Sequence, residues 1–252
     1  MASQRPRSFR HLGSAFVAGG DRYERLRPGY PDEAVTWMIE DTSAAGTVAD
    51  VGAGTGKLTT ALVARGFGVV AVDPSADMLA QLSRLLPGVR TQVGTGEATG
   101  LADSTADLVT FAQSWHWIEP AAGSVETARV LKPGGRAAWV WNFMDVRELW
   151  VAELAAIWHT VDGVEATDPA GHTPVLSTTF GPVDSITVDW TQPMLLVDLA
   201  ELITTRSYYL NASTLEQQQI EADVGALLGA QFPNVDTVDL PYRTHCFKAV
   251  RS

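Results

Sequence analysis

Residues 48–59 read "VADVGAGTGKLT", three glycines set two apart directly behind Asp50. The apolar run "TVADVG" predicts a buried strand, and "KLTTALVARG" predicts a helix closed by Gly66. A strand that passes to a helix through a loop so stripped of side chains needs a sheet for the helix to pack on. The loop then lies at the carboxyl end of the strand, where backbone N–H groups and a helix N-terminus face a ligand.

The flanking sequence repeats this alternation. "PDEAVTWMI" predicts an earlier helix, with Pro31 at its first position and Val35, Met38 and Ile39 at helical spacing. "GVVAVD" is a strand, "PSADMLAQLSRLL" a helix with Met78, Leu79, Leu82, Leu85 and Leu86 on one face, and "DLVTFAQ" and "RAAWVWN" are further strands. The order predicts an α/β fold: a doubly wound, Rossmann-like, mostly parallel sheet. Later, "SITVDWT" alternates Ile186, Val188 and Trp190 against polar residues as a strand with one buried face. Two helices follow; the second opens on Ser213 and Glu216 in capping-box spacing and carries Ile220, Val224, Leu227 and Leu228 as a stripe. "PYRTHCFKAVR" predicts a last strand. We read one domain over 1–252, with an N-terminal helical cap at 1–44, a ligand-binding core at 45–142, and a lid and substrate-recognition region with the last strands at 143–252.

Composition narrows the partner. The net charge is −11 with only three lysines, which disfavours nucleic acid, whose binders need clustered cations. Runs such as "AAWVW" at 137–141 are too short to cross a bilayer. No apolar stretch of leader length follows Arg5, Arg7 and Arg10, so secretion is not expected, and the lone Cys246 agrees with a reducing cytoplasm. A small molecule is the expected partner. His11, His159, His172 and His245 show no ligand spacing, and no metal site is expected.

Three nucleotide-binding patterns compete for the glycine loop. An ATP-binding P-loop would need glycine at Val51 and Ser or Thr at Leu58, and the dinucleotide fingerprint would need glycine at Lys57. What remains is D-x-G-x-G-x-G. Asp73 closes the second strand 21 residues after Gly52, where a carboxylate accepts hydrogen bonds from a ribose.

With "YERLRPGYP", "AVDPSADML", "GTGEA", "DLVTFAQSWHW", "RVLKPGG" and "WVWN" in order around that loop, the first 145 residues or so resemble the class I S-adenosylmethionine-dependent methyltransferases. The resemblance is to the small-molecule group that includes trans-aconitate methyltransferase. It implies S-adenosylmethionine as cofactor and S-adenosylhomocysteine as product. It also implies that Asp50, Gly52, Ala53, Gly54, Thr55 and Gly56 surround the methionine part, with Asp50 meeting its ammonium group, and that Asp73 holds the ribose. Met78 follows closely enough to reach the adenosine but also lies on a packing stripe; Glu97 and Ala98 match an adenine-contacting segment. Arg27 is expected to clamp the cofactor carboxylate, with an ion pair to Glu24 or a packed lid helix as the alternatives, and Gln113 to line the cofactor site.

Toward the acceptor, Trp115 and Trp117 are read as apolar walls, at least one of them core, and His116 between them as the imidazole nearest the methyl group. A hydroxyl acceptor would use His116 as general base; a carboxylate acceptor needs none. Tyr23, Arg206 and Tyr208 are further acceptor contacts, and Val161 to Pro174 a loop able to close over the acceptor. Two alternatives stand beside this: a nicotinamide-dependent oxidoreductase, disfavoured by Lys57, and a non-catalytic S-adenosylmethionine-binding protein.

Overall fold

The computed structural model describes residues 26–43, 45–158, 173–205, 209–210 and 212–252. Its sheet has seven strands in the order β3-β2-β1-β4-β5-β7-β6. These are β1 (Thr47–Val51), β2 (Gly68–Asp73), β3 (Arg90–Val93), β4 (Ala106–Ala112), β5 (Leu131–Met144), β6 (Asp184–Leu195) and β7 (Thr237–Val250). The first five are parallel, with helices in the connections from β1 to β2, β2 to β3 and β4 to β5 and a helix-free loop over 94–105 from β3 to β4; β7 then runs antiparallel between β5 and β6. Strand order reverses between β1 and β4, which opens the crevice in which such sheets bind ligands.

The β1 burial pattern is nearly continuous because helices cover both faces. On one face α1 (Asp32–Ile39) and α2 (Lys57–Val63) bury Ala34, Val35, Met38, Leu58 and Leu62 against Val48, Leu108 and Val140. α3 (Ala76–Leu85) adds Leu79 and Leu82 against Ala71. On the other face α4 (Pro120–Val130) covers Phe111, Trp139 and Trp141. A second core lies beyond the carboxyl ends of β5 and β6. There α5 (Leu149–Trp158), α6 (Leu196–Leu202), the 3-10 turn Ile203–Thr205 and α7 (Thr214–Gln231) pack on Met194, Leu240 and Tyr242, with Leu26 joining from the N-terminal side.

Three expectations need adjusting. Pro31 stands at the N-cap of α1, one position earlier than expected, in extended backbone. Leu85 leaves the α3 stripe and is 55% exposed, while Leu79 and Leu82 are buried with Ala71 and Leu86 is partly buried against them. β5 begins at Leu131, taking in the "LKPGG" segment, because Ala106 of β4 already pairs with Leu131.

Candidate active site

The glycine loop is held from below by a buried carboxylate. Asp50 is fully buried, and both its oxygens accept hydroxyls: Thr59 Oγ1 donates to Oδ2 at 2.6 Å and Thr110 Oγ1 to Oδ1 at 2.9 Å. Burial pushes its pKa up to about 6, with the two hydroxyls opposing that shift and the charge of Asp73 adding to it. Asp50 therefore ties β1 to α2 and β4 and acts on a ligand through the loop it fixes; with no exposed surface it cannot meet an ammonium group directly.

Above it the chain turns sharply. Gly52 has φ +73° and its N–H reaches Val72 O at 2.8 Å. A Cβ there would lie 2.3 Å from the Ser114 Cβ, so the close approach of the β1 and β4 loops requires glycine. Ser114 Oγ seals the approach by donating to Val51 O at 2.7 Å. Gly54 differs: around the position of its missing Cβ nothing lies within 4 Å, so its surface is open to a ligand. Thr55 is buried inside the loop, Ala53 is half-buried, and Gly56 caps α2 in the left-handed conformation.

Asp73 faces this opening. Oδ2 accepts from Gly54 N at 2.9 Å and Oδ1 from Ser75 N at 2.8 Å. A carboxylate oxygen has two acceptor directions, so each retains one for a further donor. Burial raises the pKa of Asp73, and the two N–H groups counter that rise. Ser75 also caps α3 by accepting from the N–H of half-buried Met78.

Beyond β3 the chain makes a tight turn in which Thr95 and Ala98 exchange backbone hydrogen bonds. Ile118 fills the space beside Gly96, where a Cβ would lie 2.2 Å from its Cδ1. Glu97 is half-buried and accepts from Glu119 N at 2.9 Å, which ties this turn to the start of α4, while Ala98 is exposed. Sequence reasoning missed Ile118, because this contact joins two loops across the sheet edge.

At the end of β4, Gln113 adopts φ +56°, unusual for a residue with a side chain. Two bonds to β5 hold it there: its N–H to Val140 O at 2.9 Å and its Nε2 to Asn142 O at 3.0 Å. The 3-10 turn Trp115–Trp117 follows, and its tight pitch sends the two indoles to opposite environments. Trp115 is core: 5% exposed, edge-on to Phe111 at 4.7 Å and to Trp139 at 5.5 Å. It is no acceptor wall. Trp117 is 53% exposed, and its ring lies 4.6 Å from that of exposed His116, so these two present the available surface at the mouth.

Arg27 reaches the 3-10 turn Ile203–Thr205, in the region expected to form a lid: Nε donates to Thr205 Oγ1 at 3.0 Å and Nη2 to Thr205 O at 2.8 Å. Its neighbour Leu26 is buried in the second core with Ile203, which brings Arg27 to that turn, and Glu24 lies outside the described residues. Tyr23, Arg206, Tyr208 and the loop from Val161 to His172 lie outside the described residues. Two further residues emerge here that sequence reasoning gave no role, Asn142 and Thr244, joined by a 2.7 Å bond between β5 and β7.

Residues 49–139 match the methyltransferase domain family. A methyltransferase of Mycobacterium tuberculosis, itself uncharacterized, is 41% identical over 244 residues, 96% of this chain and 98% of that protein. The chain belongs to the S-adenosylmethionine-dependent methyltransferases. A malonyl-[acyl-carrier protein] O-methyltransferase of Methylococcus capsulatus is 38% identical over 120 residues, 45% of this chain and 42% of that protein. Among solved structures, a protein assigned as a type II methyltransferase from Anaeromyxobacter dehalogenans superposes with a TM-score of 0.64 at 23% identity, over 89% of this chain and 96% of that one, a likeness of fold. Family membership decides against the nicotinamide-dependent oxidoreductase and makes the chain a class I methyltransferase with the expected Rossmann-like sheet.

The site fits the cofactor that this family uses. The open face at Gly54, the two free acceptor directions of Asp73 and the solvent-facing mouth at Gln113, His116 and Trp117 lie around the carboxyl ends of β1, β2 and β4.

Proposed function

We propose that the chain methylates an oxygen nucleophile, a carboxylate or hydroxyl, on a small-molecule acceptor. The observation that carries the cofactor half of this reading is Asp73, whose carboxylate is oriented by Gly54 and Ser75 beside the open glycine face. A pair of vicinal hydroxyls is the donor set that its remaining acceptor directions suit. S-adenosylmethionine supplies an electrophilic methyl group on a positively charged sulfur, and the protein's part is to align the two reactants. Gly52 to Gly56 would hold the amino-acid portion, Asp73 the ribose, and Glu97 and Ala98 the base.

For the acceptor, the exposed pair His116 and Trp117 stands at the mouth. A neutral imidazole there removes a proton from a hydroxyl acceptor as the new bond forms, while an ionised carboxylate uses the same residue only for positioning. Trp117 offers an indole face to a cation by cation–π attraction. The O-methyltransferase relative, similar over 45% of this chain, is consistent with oxygen as the acceptor atom. The net charge of −11 argues for a small molecule over nucleic acid or an anionic membrane surface. Cys246, buried in β7 with its thiol pushed up to about 12 by desolvation, suits a reducing compartment such as the cytoplasm.

Calorimetric titration with S-adenosylhomocysteine and with NADH tests this reading. The first should bind at micromolar concentration and the second should not. Asp73→Ala should weaken S-adenosylhomocysteine by about 1.5–3 kcal/mol, the range for hydrogen bonds to a charged group. An unchanged Kd in a folded variant removes Asp73 from the site, and turnover with a panel of carboxylate and hydroxyl compounds decides the acceptor.

A further inference from the structure

We propose that Asn142 is a positioning residue that latches the segment Arg27–Tyr30 across the mouth of the cofactor site, and that tight cofactor binding depends on this latch. The proposal rests on the cofactor reading above and adds to it a moving part.

Asn142 lies on β5 beside the strained Gln113, and its carbonyl and both side-chain polar atoms hold three different segments. Its carbonyl accepts from Gln113 Nε2 at 3.0 Å, its Nδ2 donates to Gly29 O at 2.7 Å, and its Oδ1 accepts from Thr244 Oγ1 at 2.7 Å. Thr244 Oγ1 in turn accepts from Trp190 Nε1 at 2.7 Å. The direction of this chain is fixed at both ends. An indole N–H only donates and a backbone carbonyl only accepts, so the threonine proton must go to Asn142 Oδ1 and the amide NH2 must face Gly29. Neither a flipped amide nor a carboxylate satisfies all four groups.

The location gives the arrangement a purpose. Thr244 is fully buried, whereas the bond to Gly29 lies at the protein surface. A rigid interior thus presents one donor to one carbonyl of the N-terminal segment. That segment bridges two bodies: Arg27 holds Thr205 of the lid, and Gly29 holds the residue that braces the β4 mouth. One neutral bond at the surface is weak enough to break when ligand enters and specific enough to re-form over it. A residue holding β5 to β7 for stability alone would need no partner on Gly29.

The test uses the full chain, S-adenosylhomocysteine calorimetry, and hydrogen exchange of the amides in residues 27–30. In the wild type, ligand should slow that exchange. Asn142→Asp, which sets a carboxylate against the Gly29 carbonyl, and Asn142→Ala, which removes the donor, should each raise Kd by about fivefold to thirtyfold and leave the exchange fast with ligand bound. Thr244→Val should weaken binding less, and Thr244→Ser, which keeps the hydroxyl, should match the wild type. These two also serve if the Asn142 variants fail to fold. Wild-type affinity in folded Asn142 variants or in Thr244→Val overturns the latch, as does a raised Kd with exchange in residues 27–30 that still slows as in the wild type. Failure of the wild type to bind S-adenosylhomocysteine is a separate outcome and sinks the cofactor reading itself.

Discussion

Asp50 shows how much of this site depends on residues that touch no ligand. Its folded-state pKa of about 6 lies above the ordinary carboxylate value of 3.8, so between those values the folded protein holds a proton that the unfolded chain has released. Stability therefore falls as pH rises through that window, by about 3 kcal/mol in total, and stays at the lower level above it. Asp50→Asn cannot ionise, and the Thr59 and Thr110 hydroxyls can rotate to serve an amide. The variant should lose this contribution: the wild-type-minus-variant difference in urea unfolding free energy should be more favourable to the wild type at pH 4 than at pH 7. An equal difference at both pH values would show that Asp50 titrates normally. The glycines divide in the same way between support and contact. Gly52→Ala meets Ser114 as well as an unfavourable positive φ, and should cost about 2–5 kcal/mol of stability in urea titration. Gly54→Ala has open space and should cost only the backbone term of about 1–2 kcal/mol, yet impair S-adenosylhomocysteine binding more than its stability loss accounts for.

Whole elements are stabilised by local signals that the sequence displays, and these were the legible part. Ser213 and Glu216 form the full capping box on α7, with Glu216 Oε2 accepting from Ser213 N at 2.7 Å, and Ile220, Val224 and Leu228 are buried along the expected stripe. Ser213→Ala should cost about 1 kcal/mol and lower the melting temperature by roughly 2–4 °C; no change in a thermal scan would mean that lid packing alone holds the helix start. The β1 loop and the alternation of strands and helices were legible for the same reason, since each is written within a dozen or so neighbouring residues, and the position of Asp73 beside the loop followed from one strand–helix–strand spacing of 21 residues after Gly52. Contacts between distant segments were not. Arg27 and Thr205 are 178 positions apart and Asn142 and Thr244 are 102 apart, so no spacing rule links them. The two indoles of "SWHW" illustrate the limit at short range: a strand reading cannot tell which ring turns inward, and the 3-10 turn after Ser114 decides it.

At the scale of the molecule, the methyltransferase core and the C-terminal region proposed as a lid have separate hydrophobic clusters but share a sheet. β7 pairs with β5 from Arg136↔Val250 to Met144↔Tyr242 and with β6 from Asp184↔Lys248 to Leu195↔Thr237. Along this one strand Val238, Leu240 and Tyr242 belong to the lid core, Cys246 to the core under α1 and α2, and Phe247 and Ala249 to the core under α4. Loss of the lid would therefore strip the ends of β5, β6 and β7 and expose backbone groups of a continuous ladder, which favours a single cooperative transition over two. Leu240 is fully buried at the centre of the lid core. Leu240→Ala should cost about 2–5 kcal/mol, and the cost should appear equally in far-UV circular dichroism and in tryptophan fluorescence, whose reporters include Trp139 in one half and Trp158 in the other. In native-state hydrogen exchange the buried amides of α7 and of β1 should open with similar free energies in the wild type and fall together in the variant. Two separated transitions, or α7 amides weakened while those of β1 keep their wild-type protection, would show that the lid unfolds by itself and that β7 is no mechanical link between it and the methyltransferase core.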